Sequence, residues 1–262
     1  MGSLAPSDTC TLLVLGSGPG IGRSVTTLFA SRRYGNVVLI ARRAEQLRVE
    51  REVVERIPGV KVGTYAIDLT DAEALLAALD DADATFGKPE AIFYNAARVL
   101  LLALFEHPVE DIEYDLKVCL LSLLFHLLDI GIFWFRPLNS SCKITVSALY
   151  NISARYLPYL ATLPKTEPSS HPALVVTSSV LPFHPIPQLF ALSLVKATQR
   201  NLVHSLHLTY APHGVHVGVT NVAGGPVSPD HEVWNPNNIA EKTWGWFKEA
   251  KLGSGKKDSF EL

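Results

Sequence analysis

Thr11-Leu12-Leu13-Val14-Leu15-Gly16-Ser17-Gly18-Pro19-Gly20-Ile21-Gly22 decides how the rest of this chain is read. The apolar run Thr11 to Leu15 has the character of a buried strand. Ile21, Val25, Leu28 and Phe29 then recur at helical spacing. A strand, a glycine turn and a helix in that order open a dinucleotide-binding βαβ unit. Gly16 lets the chain turn sharply off the strand. Gly20 lets backbone N–H groups approach a pyrophosphate without a Cβ in the way, and Gly22 lets the helix pack close to the sheet. The helix N-terminus, with Ser17 and Ile21 beside it, supplies unpaired N–H groups and a positive dipole end for phosphates. A glycine turn without a ligand is the alternative, and the rest of the chain has to discriminate.

The spacing Gly-x-x-x-Gly-x-Gly near the N-terminus resembles that of the short-chain dehydrogenase/reductase family. The resemblance implies an α/β fold: a single Rossmann-like, doubly wound parallel sheet with helices on both faces. Composition is compatible. A chain of 262 residues suits one dinucleotide-binding domain, residues 1–262, and 48% hydrophobic residues make it a folded protein. The net charge of −2 and the lack of a basic run give no footprint for nucleic acid. Cys10, Cys119 and Cys142 make neither a metal-binding spacing nor a disulfide framework, which suits a reducing compartment such as the cytoplasm. Residues 1–9 lack the apolar core of a signal peptide.

Asn36 to Ala41 is a second buried strand, followed at once by Arg42 and Arg43. An acidic residue near this point holds the ribose 2′-hydroxyl of NAD, whereas arginine accommodates the 2′-phosphate of NADP. Two arginines and no acid point to NADP(H); capping of a surface helix is the plainer alternative. Ala44 to Ile57 patterns as an amphipathic helix and Lys61 to Ile67 as a strand. Thr70-Asp71-Ala72-Glu73 then matches a capping box, with Thr70 at the cap. Ala91 to Tyr94 is a fourth strand. The resemblance implies that Asp68 bonds the adenine amino group and that Asn95, in Asn95-Ala96-Ala97, lines the adenine ribose.

Val118 to Phe135 is apolar on all faces and roughly long enough to span a bilayer. Asp129 and His126 near its middle argue against a span. Joining Lys117 to Ile144 instead puts Ile112, Leu116, Val146, Leu149, Ile152, Tyr156, Leu157 and Leu160 on one helical face. Residues 118–143 are therefore expected to be an insertion, such as a retained intron, and a membrane anchor is the minor alternative. The proton-relay asparagine of the family has no counterpart: Cys119 falls near its position with the segment kept, and Thr145 with it removed.

Leu174 to Thr177 is the fifth strand, ending at Ser178-Ser179. The family pattern is a serine followed by Tyr-x-x-x-Lys on a helix. Residues four apart share a helix face, so the lysine can acidify the tyrosine that protonates the carbonyl. Ser179 and Lys196 match as catalytic residues, and Lys196 also as a cofactor ligand, but the tyrosine position is Leu192. His184 and Ser193 are conceivable substitutes. Val215 to Val222 is the sixth strand, leading to Gly224-Gly225-Pro226-Val227, whose Val227 backbone meets the nicotinamide in the resemblance. Asn235-Pro236-Asn237-Asn238 opens a last helix, and Lys251 to Leu262 has the look of a frayed polar tail. The expectation is an NADP(H)-dependent oxidoreductase acting on a carbonyl or hydroxyl of a small organic molecule. It is similar to fungal members with leucine in the tyrosine slot, some of which serve secondary metabolism. The other outcome is a cofactor-binding protein without redox chemistry. The resemblance also implies pairing into a homo-oligomer through long helices.

Overall fold

The computed structural model describes residues 7–97, 99, 143–223, 227–249 and 259–261. Among them, seven strands form one sheet: β1 (Ser7–Leu15), β2 (Tyr34–Ala41), β3 (Lys61–Ala66), β4 (Ala91–Tyr94), β5 (Ala173–Ser179), β6 (His216–Val222) and β7 (Ser259–Glu261). Every pairing is parallel, in the order β3-β2-β1-β4-β5-β6-β7. The order reverses between β1 and β4, which is the topological switch point of a doubly wound sheet. Ligands in such sheets bind outside the carboxyl ends of the strands at that point.

The strands read as unbroken apolar runs because both faces are covered. One face carries α1 (Ile21–Arg32), α2 (Ala44–Val54) and α7 (Pro236–Lys248). There Phe29 packs against Trp244 and Phe247, with ring centroids 4.9 and 5.1 Å away. The other face carries α3 (Ala72–Phe86), α4 (Ala148–Leu160) and α6 (Phe190–Tyr210), and a short α5 (Leu163–Thr166) follows α4. The stripe expected on α4 is real: Leu149, Ile152, Tyr156, Leu157 and Leu160 are all buried, and Val146 is buried in the π-helical turn Lys143–Ser147 that leads into them. Ile112, Leu116 and residues 118–142 of the suspected insertion lie outside the described residues. No helix among the described residues is long and apolar enough to cross a membrane.

Several boundaries differ from those read in sequence. β1 begins at Ser7 and β2 at Tyr34, because the ladder extends beyond the apolar runs. The helix expected over Ala44 to Ile57 ends at Val54, where the chain turns toward Gly59 at φ +82°. The capping box is displaced by one residue: Asp71 caps α3 by accepting from the Ala74 N–H at 3.0 Å. Thr70 instead gives its own N–H to the Asp68 carboxylate at 2.9 Å. A carboxylate outcompetes a hydroxyl for the orphan donor. Within the tail expected to fray, Ser259–Glu261 pairs with β6, Phe260 opposite Thr220. The last helix opens as read, with Asn235 accepting from Asn238 and Pro236 in the first turn.

Below the sheet, away from the glycine turn, Arg33 and Glu90 form a buried pair with contacts of 2.6 and 2.8 Å. Arg33 also donates to the Ser169 carbonyl, while the Cys10 thiol and the Tyr34 hydroxyl donate to Glu90. Burial pushes both the thiol and the phenol up, so neither ionises readily there.

Candidate active site

The glycine turn is held by contacts that only glycine allows. Gly16 sits at φ +83°, and a Cβ there would come within 2.5 Å of the Ala96 nitrogen. Asn95 donates its side-chain amide to the Gly16 carbonyl at 3.1 Å, clamping the turn to the end of β4. A Cβ on Gly22 would meet that carbonyl at 3.1 Å and the Asn95 amide at 3.3 Å. Gly22 therefore serves the approach of α1 to the turn as well as to the sheet. Gly20, at φ +98°, is the N-cap of α1 and faces open space. It brings no side-chain cap, and no acid occupies the first turn of α1. The positive end of α1 thus opens on a groove. Ser17 lines the same groove, and its buried hydroxyl has no hydrogen-bond partner among the described residues.

Two cavities that share Asn95 flank the switch point and together make up the groove. On one side it is lined by Gly16, Ser17, Arg42, Arg43, Leu69 and Asn95. On the other it is lined by Gly20, Ile21, Asn95, Val227, Pro229 and Pro236. Asn95 belongs to both, so the glycine turn sits between an arginine-bearing end and a Val227 end. Arg42 and Arg43 are exposed, and Arg43 caps α2 through its backbone only. The Asp68 carboxylate is occupied by Thr70, and Leu69 rather than Asp68 lines the groove. Gly224, Gly225 and Pro226 lie outside the described residues. Sequence reading missed Leu69, Ile144 and Gln46, which the fold brings to the groove from separate elements.

The residues expected from the resemblance to act at the reaction site are arranged differently. Ser179 ends β5, and its Oγ accepts from the Leu181 N–H at 3.3 Å. Leu192 is buried in the first turns of α6, one turn before Lys196. Lys196 is 6% exposed, and its Nζ donates to the Thr177 carbonyl and to Gln199 Oε1, both at 2.8 Å. Burial lowers its pKa to about 8. Gln199, fully buried, passes its own amide to the Thr145 carbonyl at 3.1 Å. Gln199 also went unnoticed in the sequence, although its place three residues after Lys196 puts it on the same helix face. Of the substitutes considered, Ser193 is buried and spent: it donates to Leu189 at 2.9 Å and accepts from Ile186. His184 is exposed on the loop after β5.

The chain matches the family model for short chain dehydrogenases over residues 10–127. It is 37% identical over 93 residues to a probable 2,4-dienoyl-CoA reductase of Caenorhabditis elegans, covering 35% of this chain and 30% of the relative. It is 32% identical over 106 residues to an uncharacterized oxidoreductase of Thermotoga maritima, covering 40% and 41%. The chain thus spans less than half the length of these curated relatives. In fold it is similar to L-sorbose reductase from Gluconobacter frateurii in complex with NADPH and L-sorbose, with TM-score 0.75, 15% identity, and 100% and 97% of the two chains covered. It is likewise similar to the NADPH-bound short chain oxidoreductase of Pseudomonas aeruginosa PAO1 that contains an atypical catalytic center, with TM-score 0.74, 19% identity, and coverage of 98% and 96%. The matched segment, residues 10–127, and the doubly wound sheet agree with the resemblance read in sequence: part of this chain is similar to short chain dehydrogenases, and its fold is that of these solved structures.

Proposed function

We propose that this chain is an NADP(H)-dependent oxidoreductase acting on a carbonyl or hydroxyl of a small organic molecule. The observation that carries the reading is the groove itself. It joins an uncapped helix N-terminus, two exposed arginines and Val227 across the sheet switch point. Its features fit a dinucleotide. The orphaned Ser17 hydroxyl and the N–H groups around Gly20 and Ile21 would hold the pyrophosphate. Arg42 and Arg43 would take the 2′-phosphate, Asn95 and Leu69 the adenosine end, and Val227 the nicotinamide. The family match, the oxidoreductase names of the relatives and the NADPH-bound neighbours support the same choice. The dinucleotide, when bound, supplies or accepts the hydride.

This chain's own residues supply less than the usual acid. Ser179 keeps a hydroxyl proton with which to polarise a carbonyl, since its bond to Leu181 uses only a lone pair. Lys196 contributes a buried positive charge behind the end of β5. Leu192 cannot give up a proton, so the proton comes from solvent or from a substrate group. A second reading, cofactor binding without hydride transfer, is favoured by Leu192 alone. The neighbour with an atypical catalytic center is itself NADPH-bound, which supports the first reading for a chain that departs from the usual set. We place the protein in the cytoplasm.

The test is a fluorescence titration of the purified chain with NADPH and with NADH, followed by hydride-transfer assays with deuterium-labelled NADPH over a carbonyl panel. NADPH should bind at least about tenfold tighter than NADH, the discrimination expected from one charge-assisted phosphate contact. Equal or absent binding rejects the cofactor assignment. Tight NADPH binding with no deuterium transferred to any carbonyl favours the second reading.

A further inference from the structure

Lys196 is a buried cation, 6% exposed, and what holds it lies outside the recognised motif. Its Nζ rests on the Thr177 carbonyl of β5 and on Gln199 Oε1, each 2.8 Å away. Gln199 is 0% exposed, and its amide nitrogen donates to the Thr145 carbonyl in the π-helical turn. The glutamine thus uses its acceptor on the lysine and a donor on the turn that starts α4. One turn earlier, where a phenol would give the lysine a partner, stands buried Leu192. Apolar at 192 and amide at 199 belong together: the ammonium has no phenol to acidify and turns inward to groups that satisfy it. A primary amide presents a fixed acceptor and a fixed donor and does not pass protons along as a water or hydroxyl chain does.

We propose that Gln199 is a positioning residue that locks the Lys196 ammonium onto β5 and the 143–147 turn, making it a fixed buried charge rather than a mobile proton carrier. The proposal concerns the pose of Lys196 in the free protein and does not rest on the cofactor assignment.

The test is trace acetylation of the intact protein at neutral pH, read lysine by lysine by mass spectrometry, with exposed Lys61 and Lys248 as internal references. In the wild type, Lys196 should react at least about tenfold more slowly than either reference, as a satisfied buried amine does. Q199M keeps the volume but removes both hydrogen-bonding groups. It should raise the Lys196 rate at least fivefold over wild type, on the order of one lost hydrogen bond to a charged group, with the references unchanged. Q199E keeps the acceptor and should hold the rate at or below the wild-type value. An unchanged Lys196 rate in Q199M, or equal acceleration in Q199M and Q199E, overturns the lock, since the latter means simple loosening of the helix. Should Q199M fail to fold, side-chain ¹⁵N spectra of the wild type decide. A protected lysine ammonium signal that vanishes in K196M supports the proposal, and its absence refutes it.

Discussion

Gly16 shows how little freedom a single residue can have. At φ +83° and with the backbone of Ala96 2.5 Å from any Cβ, the position excludes every side chain on two grounds. Gly16→Ala should lower stability by at least about 2 kcal/mol and abolish nucleotide binding together. Denaturant melts and the NADPH titration check both, and a stable variant that still binds would contradict the close packing. Lys196 makes a prediction of a different kind. Burial lowers its pKa from the ordinary 10.5 to about 8. Between those values the unfolded chain binds more protons than the folded one, so this group makes stability rise with pH across the window and contributes no slope well below it. The difference in unfolding free energy between wild type and Lys196→Met should therefore grow from about pH 8 toward pH 10, by at most about 1.4 kcal/mol per unit. A flat difference over that window would show the ammonium to be solvated. Both residues were legible in sequence as motif members. The partners that fix them, Ala96 in one case and Thr177 and Gln199 in the other, were not, because they come from other strands or from outside the motif.

At the scale of elements, α6 is where the chain departs from the family pattern it resembles. The helix presents Leu192, Ser193, Lys196 and Gln199 inward, all buried. Leu192→Tyr restores an acid one turn before the lysine and should raise NADPH-dependent carbonyl reduction by about 10²-fold or more. Steady-state rates with a panel of small ketones check this, and no gain would mean that Lys196, held by Gln199, does not act on a group at 192. The β-elements followed from apolar runs because a parallel sheet buried on both faces needs nothing else. The helix starts were harder. Asp71 and Thr70 both suit a cap, and only the path of the chain past Asp68, whose carboxylate takes the Thr70 N–H, decided between them. β7 escaped the sequence reading because three residues, Ser259-Phe260-Glu261, carry no pattern; the free edge of β6 makes them a strand.

Across the whole molecule, two polar centres lie at opposite ends of the sheet. The groove at the carboxyl ends is open and carries the unpartnered Ser17 hydroxyl and the exposed Arg42 and Arg43. The Arg33–Glu90 pair near the amino ends is closed and satisfied, and it ties residues after α1, before β4 and before β5 into one contact. Glu90→Ala leaves a buried guanidinium without its carboxylate and should cost about 3–5 kcal/mol, while leaving the NADPH affinity of the folded fraction unchanged; thermal melts and the same titration separate the two effects. The sequence by itself determined the strand–turn–helix opening and the parallel α/β class, because periodicity and glycine spacing are local properties of the chain, whereas Ser179 and Lys196 were singled out only through the family resemblance. Tertiary structure alone decided which atoms meet: Asn95 clamping Gly16, Leu69 rather than Asp68 facing the groove, and Lys196 reaching the Thr177 carbonyl of β5. Those contacts join residues up to 79 positions apart in the chain, and side chains that far apart acquire a distance only when the sheet brings their strands side by side.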